Sequence, residues 1–286
     1  VGPVRVQGPT PATHSARKWA EALEKTVNVT EVPVVAGDQL MVIVDAAKIT
    51  LDEVVIDTVP RGTVLAVRGF AGNRLKVRFG RAGTISRSDV VSLDTAISQC
   101  TAEIRRNPND SSAYAMRGNA WTFKGDYEKA IADHNQAIRL NPKAAVAFHR
   151  RGLAWALKDD YAKAVGDFTE ALRLDPNNPA FFNDRGTVFR LLQDYDKAIA
   201  DFDAALHRDP KFGLAYNGRG FVWALKRDDD KAIADFSKAV CFDPCDAEAF
   251  FHRSQIWARQ GEQEKAVKDF KTAIGLNPKF LSVLAE

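Results

Sequence analysis

From Asn107 to Pro278 the chain lays down large apolar, very small and polar residues in the same order every 34 residues, five times over. Each segment opens on a large aromatic, at Tyr114, Phe148, Phe182, Tyr216 and Phe250. Seven residues later comes a second, at Trp121, Trp155, Phe189, Trp223 and Trp257. Between them stands Gly118, Gly152, Gly186 or Gly220, and once Ser254. The second half of each segment carries Ala130, Ala164, Ala198, Ala232 or Ala266. It continues with His134, Phe168, Phe202, Phe236 or Phe270, and then Ala137, Ala171, Ala205, Ala239 or Ala273. Apolar residues at this spacing predict two amphipathic helices per segment. The small residues let those helices approach closely, and the aromatics fill the space around the contact. Pro142, Pro176, Pro210, Pro244 and Pro278 cannot continue a helix and mark each break. Asp126, Asp160, Asp194 and Asp228 precede the second helices as N-caps, with Glu262 a weaker choice in the fifth.

A period of this length predicts stacked helix pairs. The units run 107–140, 141–174, 175–208, 209–242 and 243–276 within a helical domain spanning 94–286. Residues 95–106, TAISQCTAEIRR, align with KAIADHNQAIRL one period on, and so predict a lone second helix, an extra half unit. KFLSVLAE, after Pro278, reads as the start of a capping helix with Phe280, Leu281 and Leu284 on one side.

Residues 36–93 have a different texture. Short runs (DQLMVIV, EVVIDTV, TVLAVRGF, NRLKVRF, GTIS) are separated by turn residues at Pro60–Gly62, Ala71–Asn73 and Gly80–Gly83. Leu75, Val77 and Phe79 alternate with Arg74, Lys76 and Arg78, as in a half-buried strand. Five short strands in so few residues predict a small, partly closed barrel. Residues 1–35 read as a linker followed by a short helix around Trp19, Ala22 and Leu23, marginal unless docked.

On these residues the helical part resembles the tetratricopeptide repeat (TPR) family, and the strand-rich part is similar to bacterial SH3-like domains. The implied fold is mainly α: a right-handed α-solenoid of about five TPR units and a half unit, preceded by a small SH3-like β-barrel. The aromatic walls by which SH3-like domains hold peptides are absent here, so that activity is not carried over. The TPR resemblance implies a concave groove lined by first helices, in which a peptide lies. It places there Asn119 from the first unit, His149 and Leu153 from the second, and Asn183, Thr187 and Arg190 from the third. Asn217 and Phe221 follow from the fourth, and Phe251 and Gln255 from the fifth. Repeated asparagines suit an extended peptide backbone, and the phenyl rings beside them supply apolar anchors. The two-Lys, two-Asn, one-Arg carboxylate clamp of chaperone cofactors in this family is not reproduced. Asn119 and Arg150 match, but Ala115, Ala180 and Asp184 stand elsewhere in that set, and Asp184 repels a carboxylate.

Charge adds two features. Arg117, Arg151, Arg185, Arg219 and Arg253 stand just before the small residue, where the family has an aliphatic one. Asp133, Asp167, Asp201, Asp235 and Asp269 recur at the matching place in the second helix. Equal numbers at fixed spacing predict an internal Arg–Asp ladder, in preference to a charged strip that recruits a ligand. The chain's net charge of +3 falls entirely within residues 1–93. The barrel is cationic, with Arg68, Arg74, Lys76 and Arg78 as its candidate basic face, and an acidic partner fits it. The lack of aromatic platforms weighs against nucleic acid.

No reactive constellation emerges. His134 occupies a core aromatic position, His207 ends a helix, and His149 and His252 have no nucleophile in recognisable context. No phosphate-cradling Gly loop, HExxH or GxSxG is present, and there is no CxxC for zinc. Cys100 reads as a small buried hydrophobe; Cys241 and Cys245 are close enough in sequence for a bridge to stay open. No metal or cofactor is expected, and no run approaches the ~20 apolar residues of a membrane span. The start at Val1 leaves open a removed signal segment or preceding domain, and with it the bacterial cytoplasm or the cell envelope. The expected function is a non-enzymatic adaptor holding a peptide or partner protein. The alternatives are a self-assembling component and the regulatory region of a longer enzyme.

Overall fold

The computed structural model describes residues 39–42, 46–51, 54–60, 64–71, 74–79, 81–86 and 90–280; before residue 90 it gives backbone and pairing and the Met41 side chain. The linker and helix expected in 1–35, residues 61–62, 72–73 and 80 of the expected turns, the side chains of Arg68, Arg74, Lys76 and Arg78, and the 281–286 part of the expected cap lie outside the described residues. Residues 81–83, expected in the third turn, instead begin a strand, with Ala82 opposite Arg78 and Gly83 opposite Val77, so that turn is confined to Gly80. The chain divides into two compact units, residues 1–167 and 168–286.

In the first unit seven strands form one antiparallel sheet. They are β1 (Gln39–Val42), β2 (Ala46–Leu51), β3 (Val54–Pro60), β4 (Val64–Ala71), β5 (Arg74–Phe79), β6 (Arg81–Ser86) and β7 (Val90–Ser92). Their order is β3-β2-β6-β5-β4-β1-β7. Two strands, β2 and β7, go beyond the five expected; β2 alternates weakly and β7 is very short, so periodicity hides both. The β4–β5 and β5–β6 hairpins pair Phe70 with Leu75 and Leu75 with Ile85. At the edge, β1 pairs Met41 with Val91 of β7.

Helix α1 (Leu93–Arg106) follows at once. The Ser92 side chain ends the strand and starts the helix, accepting from the Thr95 N–H at 2.6 Å. Next come α2 (Ser111–Phe123), α3 (Tyr127–Leu140), α4 (Ala145–Leu157) and α5 (Tyr161–Leu174), the last carrying residues of both units. The second unit continues with α6 (Pro179–Leu191), α7 (Tyr195–Arg208), α8 (Gly213–Leu225), α9 (Asp229–Phe242), α10 (Ala247–Arg259) and α11 (Gln263–Leu276). Each pair lies inside one 34-residue segment. The expected caps form: Asp126, Asp160, Asp194 and Asp228 accept from the N–H three residues on at 3.2–3.3 Å, whereas Glu262 makes no capping bond.

The core follows the small–large pattern. Phe168, Phe202 and Phe236 are fully buried among the repeat alanines. A Cβ on Gly186 would sit 3.1 Å from Asp201 Cβ and 3.2 Å from the Phe202 ring, so the two helices meet at a contact tight enough to favour glycine, although the fifth repeat takes a buried Ser254 at the matching position. In the first unit the apolar face of α1 is covered by strand residues. Met41 and Val91 pack with Ala96, Cys100, Met116 and Ala120 where another unit would supply a first helix.

Candidate functional site

The arginine and aspartate series close on themselves. Arg117 makes two bonds to Asp133, both 2.8 Å, and Arg151 two to Asp167, at 2.8 and 2.6 Å. In the second unit Arg185 holds Asp201, Arg219 holds Asp235 and Arg253 holds Asp269 in the same fork, at 2.6–2.8 Å. The remaining nitrogen of each guanidinium reaches back to the preceding second helix, to Thr101, Asn135, Thr169, Asp203 or Ser237. Each arginine therefore ties three helices, a role absent from the sequence expectation. The aspartates are buried, and the bonds to Asp133 and Asp235 raise the pKa of Arg117 and Arg219 above the ordinary arginine value. This charge is consumed internally and is not a ligand strip.

The expected groove positions differ in accessibility. In the first unit His149 and Leu153 are buried and Asn119 is partly exposed. In the second unit Asn183, Arg190 and Phe251 are buried, Thr187, Asn217 and Phe221 are partly exposed, and Gln255 is exposed. Burial arises because neighbouring first helices pack on one another. The Arg190 guanidinium of α6 lies 4.7 Å over the Phe221 ring of α8. Phe221 in turn meets the His252 ring of α10 edge-on at 4.7 Å. Phe251 stacks on Phe280 at 4.5 Å, so part of the expected cap does seat on the last repeat.

The asparagines are engaged. Asn183 Nδ2 donates to Asp184 at 3.0 Å, and Asn217 Nδ2 donates to Asp246 at 2.9 Å. Asp246 also caps α10, accepting from the Ala249 N–H at 2.9 Å. Burial pushes its carboxyl up to about 6, with Glu248 and Asp243 adding to the rise and the Ala249 and Asn217 bonds opposing it. Asp246 precedes the helix in a loop and carried no periodic signal beyond a capping position.

His134 is fully buried beneath Gly118, and neither ring nitrogen has a hydrogen-bond partner. Burial first, then the positive charge of Arg150 and Arg151, lowers its pKa to about 3, so the ring is neutral and structural. Cys100 is buried, while Cys241 and Cys245 are exposed free thiols, so the bridge left open does not form. Among the described residues no His/Cys/Asp/Glu group could hold a metal ion, and no helix is long and apolar enough to cross a membrane.

Helix pairs of this length, with these small and aromatic positions, define a helical repeat protein built for contact with other chains. Family profiles described as tetratricopeptide repeat match residues 111–144, 145–178, 183–246 and 247–280, and the chain belongs to that family. Tetratricopeptide repeat proteins are protein-interaction scaffolds, and no enzyme family is indicated.

Among solved structures the chain is similar to pilF of Pseudomonas aeruginosa, with TM-score 0.55 and 16% identity, covering 58% of this chain and 76% of that one. It is also similar to PilW, a type IV pilus biogenesis factor, with TM-score 0.54 and 22% identity over 58% and 77% of the two chains. Yeast Tom70 gives TM-score 0.54 and 20% identity over 63% of this chain and 39% of that one. These likenesses concern the fold. No curated protein matches the chain in sequence.

Proposed function

We propose that the chain is a non-catalytic adaptor that holds a peptide or partner-protein segment on the faces of its first helices. The observation that carries this is the second-unit surface made by α6, α8 and α10. There Phe221 and Asn217 remain partly exposed, while the Arg–Asp ladder is spent on holding the helices together. The strand-rich segment is read as a small SH3-like barrel of bacterial type, supported by its short antiparallel strands and Gly-rich connections. Its Arg68, Arg74, Lys76 and Arg78 would face an acidic partner. The test is capture of partners by the full chain against a variant with Asn183, Asn217 and Phe221 changed to Ala. Loss of bound protein in a variant that melts at a lower temperature but keeps the wild-type circular dichroism at the assay temperature supports the reading; equal capture by both overturns it.

A second reading, self-assembly, is favoured by Val267 and Leu276, apolar residues left 49% and 38% exposed on α11. Sedimentation of the full chain across a hundredfold concentration range separates the two readings.

A further inference from the structure

The strand register gathers basic residues onto one face of the sheet. Residues directly opposite in an antiparallel pair share a face, and the face alternates along each strand. On β5, Arg74, Lys76 and Arg78 take one face and Leu75, Val77 and Phe79 the other. Arg74 stands opposite Ala71 of β4 and Ser86 of β6, Lys76 opposite Gly69 and Thr84, and Arg78 opposite Ala82. From Thr84 the row runs on to Thr50 of β2. Lys48, two residues before Thr50, pairs with Thr58 of β3 on the same face. Four cations and four hydroxyls thus share a face whose described residues include no acid and no aromatic ring.

The opposite face takes Phe70, Leu75, Ile85 and Ile49. Asp57, the one acid in the described strands, stands opposite Ile49 and so belongs to that apolar face. From Arg61 to Ser88 the sequence holds seven basic residues and no acid. The repeat arginines each meet an aspartate on the next helix, whereas the register gives β5 no such partner. Along a strand, residues two apart are ~6.8 Å from one another. Carboxylates on alternate residues of an extended chain recur at that same distance. Guanidinium, ammonium and hydroxyl groups all donate to carboxylate oxygens. A single-stranded nucleic acid gains from aromatic platforms under its bases, and this face has none among its described residues.

We propose that this face binds an acidic segment of a partner protein in extended form, lying along β5 with Asp or Glu on alternate residues. Its carboxylates fall in step with Arg74, Lys76 and Arg78, and Lys48 extends the positive field two strands away. The inference rests on the acidic-partner reading of the strand segment and gives that partner its chemistry and conformation.

The experiment titrates two fluorophore-labelled twelve-residue peptides of equal composition against the full chain at low salt. In one, Glu alternates with Thr; in the other, the order Glu-Glu-Thr-Thr is repeated, so that same-face carboxylates of an extended chain recur only every four residues. Oligothymidylate is the nucleic-acid probe. The variants are Arg74→Gln/Lys76→Gln/Arg78→Gln and, at equal charge, Arg105→Gln/Arg106→Gln/Arg139→Gln, exposed cations of α1 and α3. The alternating peptide should bind more tightly than the paired one, and less so as salt rises. The strand variant should weaken it about tenfold, through three lost ion pairs, and the helix variant should not. Lys76→Gln alone should weaken it about threefold with unchanged circular dichroism, and no weakening there overturns the inference. Equal binding of the two peptides, lost in the strand variant, keeps an acidic partner and overturns the extended arrangement. Oligothymidylate bound more tightly than either peptide, and lost in the strand variant, assigns the face to nucleic acid and overturns the inference. Equal weakening by both triple variants, or no binding of either peptide, overturns the inference and the acidic partner together. The adaptor reading of the second unit is decided separately, by its own variant.

Discussion

His134 shows how one residue sets the pH behaviour of a repeat. Its counterparts are phenylalanines, and its nitrogens are buried without partners. Its pKa is about 3 in the folded chain against an ordinary 6.5. The unfolded chain takes up the proton first, so stability present above pH ~6.5 is lost as pH falls toward ~3, at about 1.4 kcal/mol per unit. His134→Phe should raise first-unit stability by about 1–3 kcal/mol at pH 7, through removal of two unsatisfied groups, and flatten that acid slope. Urea unfolding at pH 7 and pH 4.5 measures both.

Asp246 works in the opposite sense. Its carboxyl is raised from 3.8 to about 6, so in that window the folded state holds a proton that the unfolded state has released. Stability therefore falls as pH rises from ~4 to ~6. Asp246→Asn keeps a capping oxygen, and the Asn217 amide turns over so that its oxygen accepts from the new Nδ2; the change should stabilise the second unit by about 1 kcal/mol at pH 7 and leave it unchanged at pH 4. Thermal melts at the two pH values decide it. Of the two residues, His134 stood out in the sequence as a break in a series of aromatics. Asp246 did not, because its burial arises from tertiary packing that a capping position does not reveal.

At the scale of elements, the repeat arginines act as fasteners between helices. Each fork saturates one aspartate of its own repeat and reaches one polar residue of the repeat before. Asp201→Ala removes the partner of Arg185 and should cost about 2–4 kcal/mol, since a half-buried guanidinium is left uncompensated. The Arg185→Met/Asp201→Leu pair should cost less than the sum of its single changes. A double-mutant cycle by denaturant titration checks this, and additive losses would count against the fastening role. The pairing within a repeat could be read from spacing, because both residues recur with the same period. The reach to Thr101, Asn135, Thr169, Asp203 and Ser237 is fainter in the sequence, because those positions keep the 34-residue period but vary among Thr, Asn, Asp and Ser.

For the whole molecule, the join between strands and helices supplies the core that covers α1, beside the separate cluster of Trp121, Ala130 and Ile131 within the first repeat. Met41 of β1 is fully buried against α1 and α2, beside Val91 of β7. Met41→Ala should destabilise the first unit by about 2–4 kcal/mol and leave amide protection in residues 195–276 unchanged. Hydrogen exchange read unit by unit measures it; equal loss in both units would mean that the two unfold together.

The helix pairs, their caps and their small–large contacts follow from sequence alone, because a 34-residue period repeats a local rule until it cannot be mistaken. Even the covering of α1 by the strand segment could be anticipated, since an orphan second helix leaves an apolar face to fill. Which face residues stay open to a partner was settled only by tertiary packing. Asn183, Arg190 and Phe251 share a periodic position or a helix face with Asn217 and Phe221, yet they are buried. Exposure depends on how closely the next first helix approaches, and that distance is fixed by neighbours a full repeat away.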